Sequence, residues 1–186
     1  MPEQLKTDLL REMLQRGEVE NALVFTRTKH RANRLTEKLT RAGISCDRIH
    51  GNRSQPQREK ALADFKHGRI RILVATDIAA RGIDVDGISH VFNYDLPNET
   101  ESYVHRIGRT GRAGATGKAY SFCAADERDY LIDIEHLIST NIPVVVAHPY
   151  ASSMGVPEPT DLSRPRRSGW SGYADEDGGV GCFGGA

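Results

Sequence analysis

The chain has 186 residues, 38% of them hydrophobic and 27% charged, which fits one globular domain of ordinary size with a tail. No window approaches the run of about 18 uncharged apolar residues that a membrane-spanning helix needs, and the N-terminus has neither the apolar stretch nor the small-residue cleavage site of a secretory signal. The formal net charge is zero, but residues 1–118 hold 21 Lys and Arg against 15 Asp and Glu, while residues 119–186 hold 4 against 10; the basic first part is compatible with a polyanionic partner, although a solvated charged face gives the same excess.

Leu5, Leu9, Leu10, Met13 and Leu14 recur at helical spacing before Gly17 and predict an opening amphipathic helix. Ala22–Phe25 is a short apolar run of the kind covered on both faces in a parallel sheet. Residues 29–42 read as a helix with Ala32, Leu35 and Leu39 inward, stopped by Gly43. Ile44–Ile49 reads as a second strand, followed by a loop and then Ser54-x-x-Gln57, the spacing of a capping box, with Pro56 in the first turn. That helix runs to about Phe65; Ile70–Ala75 is a third strand. The alternation continues with a strand at His90–Tyr94, a helix at Thr100–Arg106, a strand at Gly117–Cys123 and a helix at Glu127–Ser139. Strands alternating with helices at these intervals predict an α/β fold, an open parallel β-sheet with helices on both faces. Periodicity ends near Tyr150, and seven of the nineteen residues in 168–186 are Gly, so the expected division is a domain over 1–150 and a flexible Pro/Gly-rich tail over 151–186.

In such a sheet the loops leaving the carboxyl ends of the strands line the ligand crevice. Three stand out: Thr26-Arg27-Thr28-Lys29, the stretch Thr76 to Asp84, and His105 to Arg112. In the last, Arg106, Arg109 and Arg112 recur every third residue with Gly108 and Gly111 between them. Planar guanidinium forks beside backbone that a ligand can approach closely suit phosphate oxygens. Taken alone, such a run is more often a basic surface turn.

The segments occur together and in order. Residues 22–29 (ALVFTRTK), His50-Gly51 with Gln55-x-x-Arg58, residues 75–84 (ATDIAARGID) and residues 103–112 (YVHRIGRTGR) resemble motifs IV, IVa, V and VI of the DEAD-box RNA helicases. The likeness covers roughly residues 1–140, and its wording looks most like the bacterial RhlE branch. It implies the second of that family's two RecA-like domains, acting as half of an ATP-dependent RNA helicase, a hydrolase of nucleoside triphosphate that unwinds or remodels RNA. Arg109 and Arg112 are then the arginine fingers aimed at the γ-phosphate, and Gly82 and Asp84 line the sugar and phosphate side of ATP. Thr28, Gly51, Arg58 and Thr76 hold the RNA backbone, without reading bases. His105 and Arg106 couple the two domains across the cleft, while Gln55 and Arg81 brace the motifs against each other. The partners implied are RNA and an N-terminal RecA-like domain; neither a membrane nor zinc is expected.

No G-x-x-x-x-G-K-[ST] is present: Ala119 stands where Gly117-Lys118 needs a hydroxyl, so Mg²⁺ with its ATP is expected to be held mainly by the other domain, and this chain alone is expected to be nearly inactive. Asp126-Glu127-Arg128-Asp129 fits D-E-x-D but lacks a phosphate loop before it and reads as the acidic first turn of the next helix. The runner-up function is a nucleotide-independent RNA-binding module. A DNA helicase is disfavoured by the wording of motifs V and VI. Cys46, Cys123 and Cys182 lie too far apart for a disulfide framework or a metal knuckle, which suits a reducing, cytoplasmic compartment. His30, His67, His90, His136 and His148 lack ligand-like spacing and read as surface or cap residues. Arg164, Arg166 and Arg167 beside Trp170 and Tyr173 could bind RNA, but the acids that follow favour a plain disordered end.

Overall fold

The structure, a computed structural model, describes residues 3–81, 83, 85, 87–111, 117–145, 148–150 and 159–162. Within them the chain runs α1 (Glu3–Gln15), β1 (Ala22–Phe25), α2 (Lys29–Arg41), β2 (Cys46–Ile49), α3 (Gln55–Lys66), β3 (Ile72–Ala75), α4 (Asp77–Ala80), β4 (His90–Asn93), α5 (Thr100–Ile107), β5 (Lys118–Ser121), a 3₁₀ turn (Ala125–Glu127) and α6 (Arg128–Ile138). The strands form one parallel sheet in the order β2-β3-β1-β4-β5. Every residue of β1, β3 and β4 is buried, as both faces are covered.

Side chains alternate across the pleat, and the two cores follow that period. On one face Ala22, Val24, Ile72, Val74 and Phe92 pack against Leu9, Leu10 and Leu14 of α1 and Ala32, Leu35 and Leu39 of α2. On the other, Leu23, Phe25, Leu73, Ala75 and Val91 meet Ala61 and Phe65 of α3 and the Ala79–Ala80 turn. A third cluster, Leu96, Tyr103, Leu131 and Ile134, joins α5 to α6.

Element edges differ from the expected spans where backbone is needed elsewhere. Ile44 donates its N–H to Leu39, closing the end of α2, and Ser45 accepts from both Arg71 and Ile72, so β2 begins only at Cys46. The capping box forms: the Ser54 N–H donates to Gln57 Oε1 at 3.2 Å, with Pro56 in the first turn. The turn α4 had no sequence counterpart. His90, expected at the surface, is buried in β4 and stacks on Phe92 and Tyr120 at centroid distances of 6.1 and 6.2 Å. Of the expected tail, Thr160 is buried, its N–H donating to Asn141 Oδ1 at 3.0 Å and its hydroxyl to Glu135; most of the remainder lies outside the described residues.

Candidate functional site

Three adjacent strands deliver their loops to one edge. The ladder continues past the strand ends, with Thr26 N–H on the Ala75 carbonyl at 3.0 Å and Thr76 N–H on the Ile49 carbonyl at 3.2 Å. Consequently the loops after β1, β2 and β3, which carry Thr28, Gly51 and Thr76, lie side by side. Thr28 is exposed and caps α2: its Oγ1 accepts the Arg31 N–H at 3.2 Å, leaving its own hydroxyl proton to donate outward. Thr76, half-buried, precedes α4 in extended backbone. Gly51 is exposed, and nothing lies within 4 Å of where a Cβ would stand. Arg58, half-buried on α3, bonds Gln55 Oε1 at 3.4 Å, so its charge stays uncompensated by that neutral partner.

Two expected bracing roles are absent among the described residues. Gln55 donates to Glu59 at 2.9 Å and accepts from Arg58, both on its own helix, because its exposed position in the first turn of α3 reaches no other motif. Arg81 is exposed and makes no ion pair among the described residues.

The bracing falls instead to Arg106. Rather than reaching across a cleft, its side chain turns inward and is 2% exposed. Nε and Nη2 grip the Asp77 carboxylate at 2.6 and 2.7 Å, while Nη1 donates to Asn93 Oδ1 at 3.2 Å and to the Asp95 carbonyl at 2.7 Å. The guanidinium lies 5.0 Å from the centroid of the Phe25 ring. Since α5 faces the sheet with Tyr103 and Arg106, one helical turn apart, the sequence spacing that suggested a row of outward arginines does not apply to the first of them. Arg106 thus bolts the 103–112 segment to the residue that follows Thr76. His105, its neighbour, is exposed.

Past the end of α5 the chain returns to the surface. Arg109 is half-buried and donates from Nη1 to the Ile83 carbonyl at 2.9 Å, between positions 82 and 84. Thr110 donates its hydroxyl to the Ile88 carbonyl. A Cβ on Gly117 would come within 1.9 Å of Thr110 Oγ1 and 2.5 Å of Gly111 N, so only glycine lets β5 approach this turn so closely. Gly82, Asp84 and Arg112 lie outside the described residues.

The sequence missed the electrostatic setting of the Gly51 turn. His50 is buried, its Nε2 on Asn33 Oδ1 at 2.9 Å, while its Nδ1 has no partner. Burial, then the charges of Arg48, Arg53, Lys29 and His30, depress its pKa below the ordinary 6.5 and keep it neutral. The density of cations between positions 29 and 53 was the available signal. Burial also raises the thiols of Cys46 and Cys123 out of the reactive range. Among the described residues no three carboxylate, imidazole or thiol side chains converge on one point.

One carboxyl edge of the parallel sheet thus presents a threonine, a glycine turn and a second threonine, with an arginine-rich helix end anchored beside them, on an open α/β domain. Residues 5–114 match the model of the helicase conserved C-terminal domain. The ATP-dependent RNA helicase DbpA of Bacillus subtilis is 50% identical over 145 residues, covering 78% of this chain and 30% of that protein. Among solved structures, the E. coli DEAD-box protein SrmB bound to regulator of ribonuclease activity A superposes with a TM-score of 0.78 at 37% identity, covering 84% of this chain and 92% of that one. S. cerevisiae Dbp5 bound to RNA and ADP BeF3 gives 0.67 at 36% identity, over 72% and 36%. The chain therefore belongs to the helicase conserved C-terminal domain family, as the C-terminal domain of a DEAD-box protein. It spans less than a third of the length of DbpA.

Proposed function

We propose that this domain works as the second half of an ATP-dependent RNA helicase, with ATP and RNA bound across a cleft to an N-terminal RecA-like domain. The observation that carries the reading is the single edge on which Thr28, Gly51 and Thr76 stand together, tied through Asp77 and Arg106 to the turn that bears Arg109. Neutral hydroxyl and amide donors at that edge suit the sugar and phosphate oxygens of a strand and read no base, so binding is independent of sequence. Arg58 adds a charged contact.

Arg109 fits the role of a finger for a physical reason. Its guanidinium is held by the Ile83 carbonyl through one of five N–H donors, which orients the planar fork at little entropic cost. A phosphoryl transfer step whose charge spreads over equatorial oxygens gains most from such a preset donor. Arg112 and, on the ribose side, Gly82 and Asp84 complete the proposed pocket. Mg²⁺ and the phosphate cradle belong to the other domain in this reading. His105, exposed beside Arg109, is the remaining candidate for contact with that domain.

The test is to join or mix the chain with a first domain that carries a phosphate loop and measure RNA-stimulated ATP turnover. Turnover in the mixture, absent from either part, supports the helicase reading. Tight RNA binding by this chain with no turnover in any combination favours the nucleotide-independent module.

A further inference from the structure

The D-E-x-D segment opens the 3₁₀ turn and α6, as its spacing predicts, but Glu127 does more than cap them. Glu127 is 2% exposed and its two carboxylate oxygens receive four donors. Oε1 accepts from Arg27 Nη2 at 2.9 Å and Leu96 N–H at 3.2 Å; Oε2 accepts from Ala124 N–H at 2.9 Å and from Lys6 of α1. Lys6 is equally buried and also reaches the Tyr94 carbonyl at 3.1 Å. A second carboxylate lies beside it: Asp95, fully buried, accepts the Arg27 backbone N–H at 2.9 Å on Oδ2 and the Arg31 guanidinium on Oδ1.

These partners share a target. Arg27 is fixed at both ends, by Asp95 on its amide and by Glu127, the Leu96 carbonyl (3.2 Å) and the Tyr130 ring (5.2 Å) on its guanidinium. Arg31 is fixed through its side chain and donates its N–H to Thr28 Oγ1. Thr28 stands between two anchored residues yet is itself exposed, so no packing holds its hydroxyl. Removing charges from water is costly, and an apolar trio of the same volume would stabilise the fold at least as well. What four donors on one carboxylate supply, and oil would not, is a fixed direction.

We infer that Glu127, seconded by Asp95, is a positioning residue for RNA: through Arg27 it sets the loop after β1 so that the Thr28 hydroxyl points at the strand. The inference rests on the RNA-binding reading of Thr28 given above, and it extends the groove's support to α1 through Lys6.

The experiment uses the whole 186-residue chain, Glu127→Gln, Thr28→Val and the double variant, with Arg27→Met as a second probe that leaves the Lys6–Glu127 pair intact should Glu127→Gln fold poorly. Two quantities are read: amide hydrogen exchange over residues 26–31, and affinity for a short oligouridine across a salt series. Faster exchange in that loop is expected in Glu127→Gln and Arg27→Met. Affinity is expected to fall about three- to tenfold, the size of one hydrogen bond, with the salt slope unchanged and no further loss when Thr28→Val is added. Unchanged exchange overturns the inference. So do losses that multiply in the double variant, or a slope that falls by about one, which marks Arg27 as a direct phosphate ligand. A wild-type chain that binds no oligouridine overturns the RNA reading itself; wild-type binding with multiplying losses overturns the positioning alone.

Discussion

Arg106→Met probes the bolt between the two arginine and threonine segments. The guanidinium removed makes four hydrogen bonds and lies over Phe25. Its loss strands Asn93 Oδ1 and the Asp95 carbonyl in residues that are fully buried, each at a cost of about 1–3 kcal/mol. The contact with Phe25 is worth about 1–2 kcal/mol more where desolvated. The bidentate pair with Asp77 counts for less than its geometry suggests, because the Asp77 side chain is 31% exposed and regains water once released. Met refills most of the stem without a cavity. These terms overlap, and we expect about 3–4 kcal/mol in total. With a urea dependence of about 2 kcal/mol per molar, the midpoint of equilibrium unfolding falls by about 1.5–2 M at unchanged slope. Asp77→Asn keeps an acceptor in a hydrated position and costs about 1–2 kcal/mol. An Arg106→Met penalty under about 1 kcal/mol, or one no larger than that of Asp77→Asn, would refute the assignment of the energy to the buried acceptors.

In a protein joined to a first domain, Arg109→Ala lowers ATP turnover by about 10³-fold or more and leaves nucleotide-free RNA affinity within about twofold; steady-state hydrolysis and filter binding separate the two, and normal turnover removes Arg109 as a finger. Gly117→Ala drives a methyl into Thr110 and the Gly111 backbone and costs about 1–3 kcal/mol of stability, checked by thermal unfolding; a neutral result means that the turn is free to shift. Gly51→Ala meets nothing within 4 Å, so stability stays within about 0.5 kcal/mol while RNA affinity drops, and unchanged affinity argues that no strand approaches that turn. His50 and His90 are both depressed below 6.5, chiefly by burial, so the unfolded chain takes up their protons first and stability declines as pH falls from about 6.5 through the folded values. His50→Gln should flatten part of that decline in urea midpoints, and a slope identical to wild type would exclude His50 from it.

The order of elements was legible because each strand is a short apolar run between turn signals, and Ala22–Phe25 was readable to the residue. Edges were less so: whether Ile44 and Ser45 belong to a strand depends on Leu39 and Arg71, which are distant in sequence and need their N–H and C=O groups. A four-residue turn such as α4 has no period to detect. In the candidate site, the resemblance gave the loops but not the direction of each side chain. Arg106 and Arg109 occupy like positions in a repeating pattern, yet one is buried and the other half-exposed, because α5 ends at Ile107 and only residues within it share the sheet-facing stripe. Glu127 is the helix-start acid that the sequence predicts, but its further partners, at positions 6, 27 and 96, are remote in sequence and left no local signal.

The buried charges of this domain follow the exposed side chains proposed for function. Thr28 stands between Arg27 and Arg31, held by Glu127 and Asp95; Thr76 precedes Asp77, held by Arg106. A side chain that must meet a polar ligand has to remain in water, where packing cannot orient it and only bonds to backbone, such as the Arg31 N–H on Thr28 Oγ1, hold its rotamer. The nearest backbone that can be fixed belongs to its sequence neighbours, and an ion pair fixes direction where an apolar contact fixes only distance. In this sheet the carbonyls of Tyr94, Asp95 and Leu96, just beyond β4, receive Lys6, Arg106 and Arg27 in turn. One three-residue stretch thereby connects α1, the loop after β1 and the end of α5. Among the described contacts, a displacement of α1 would reach Thr28 through Glu127 and Arg27, and Arg109 through the longer route of the Asp95 carbonyl and Arg106, so Thr28 should respond to strain on α1 before Arg109 does.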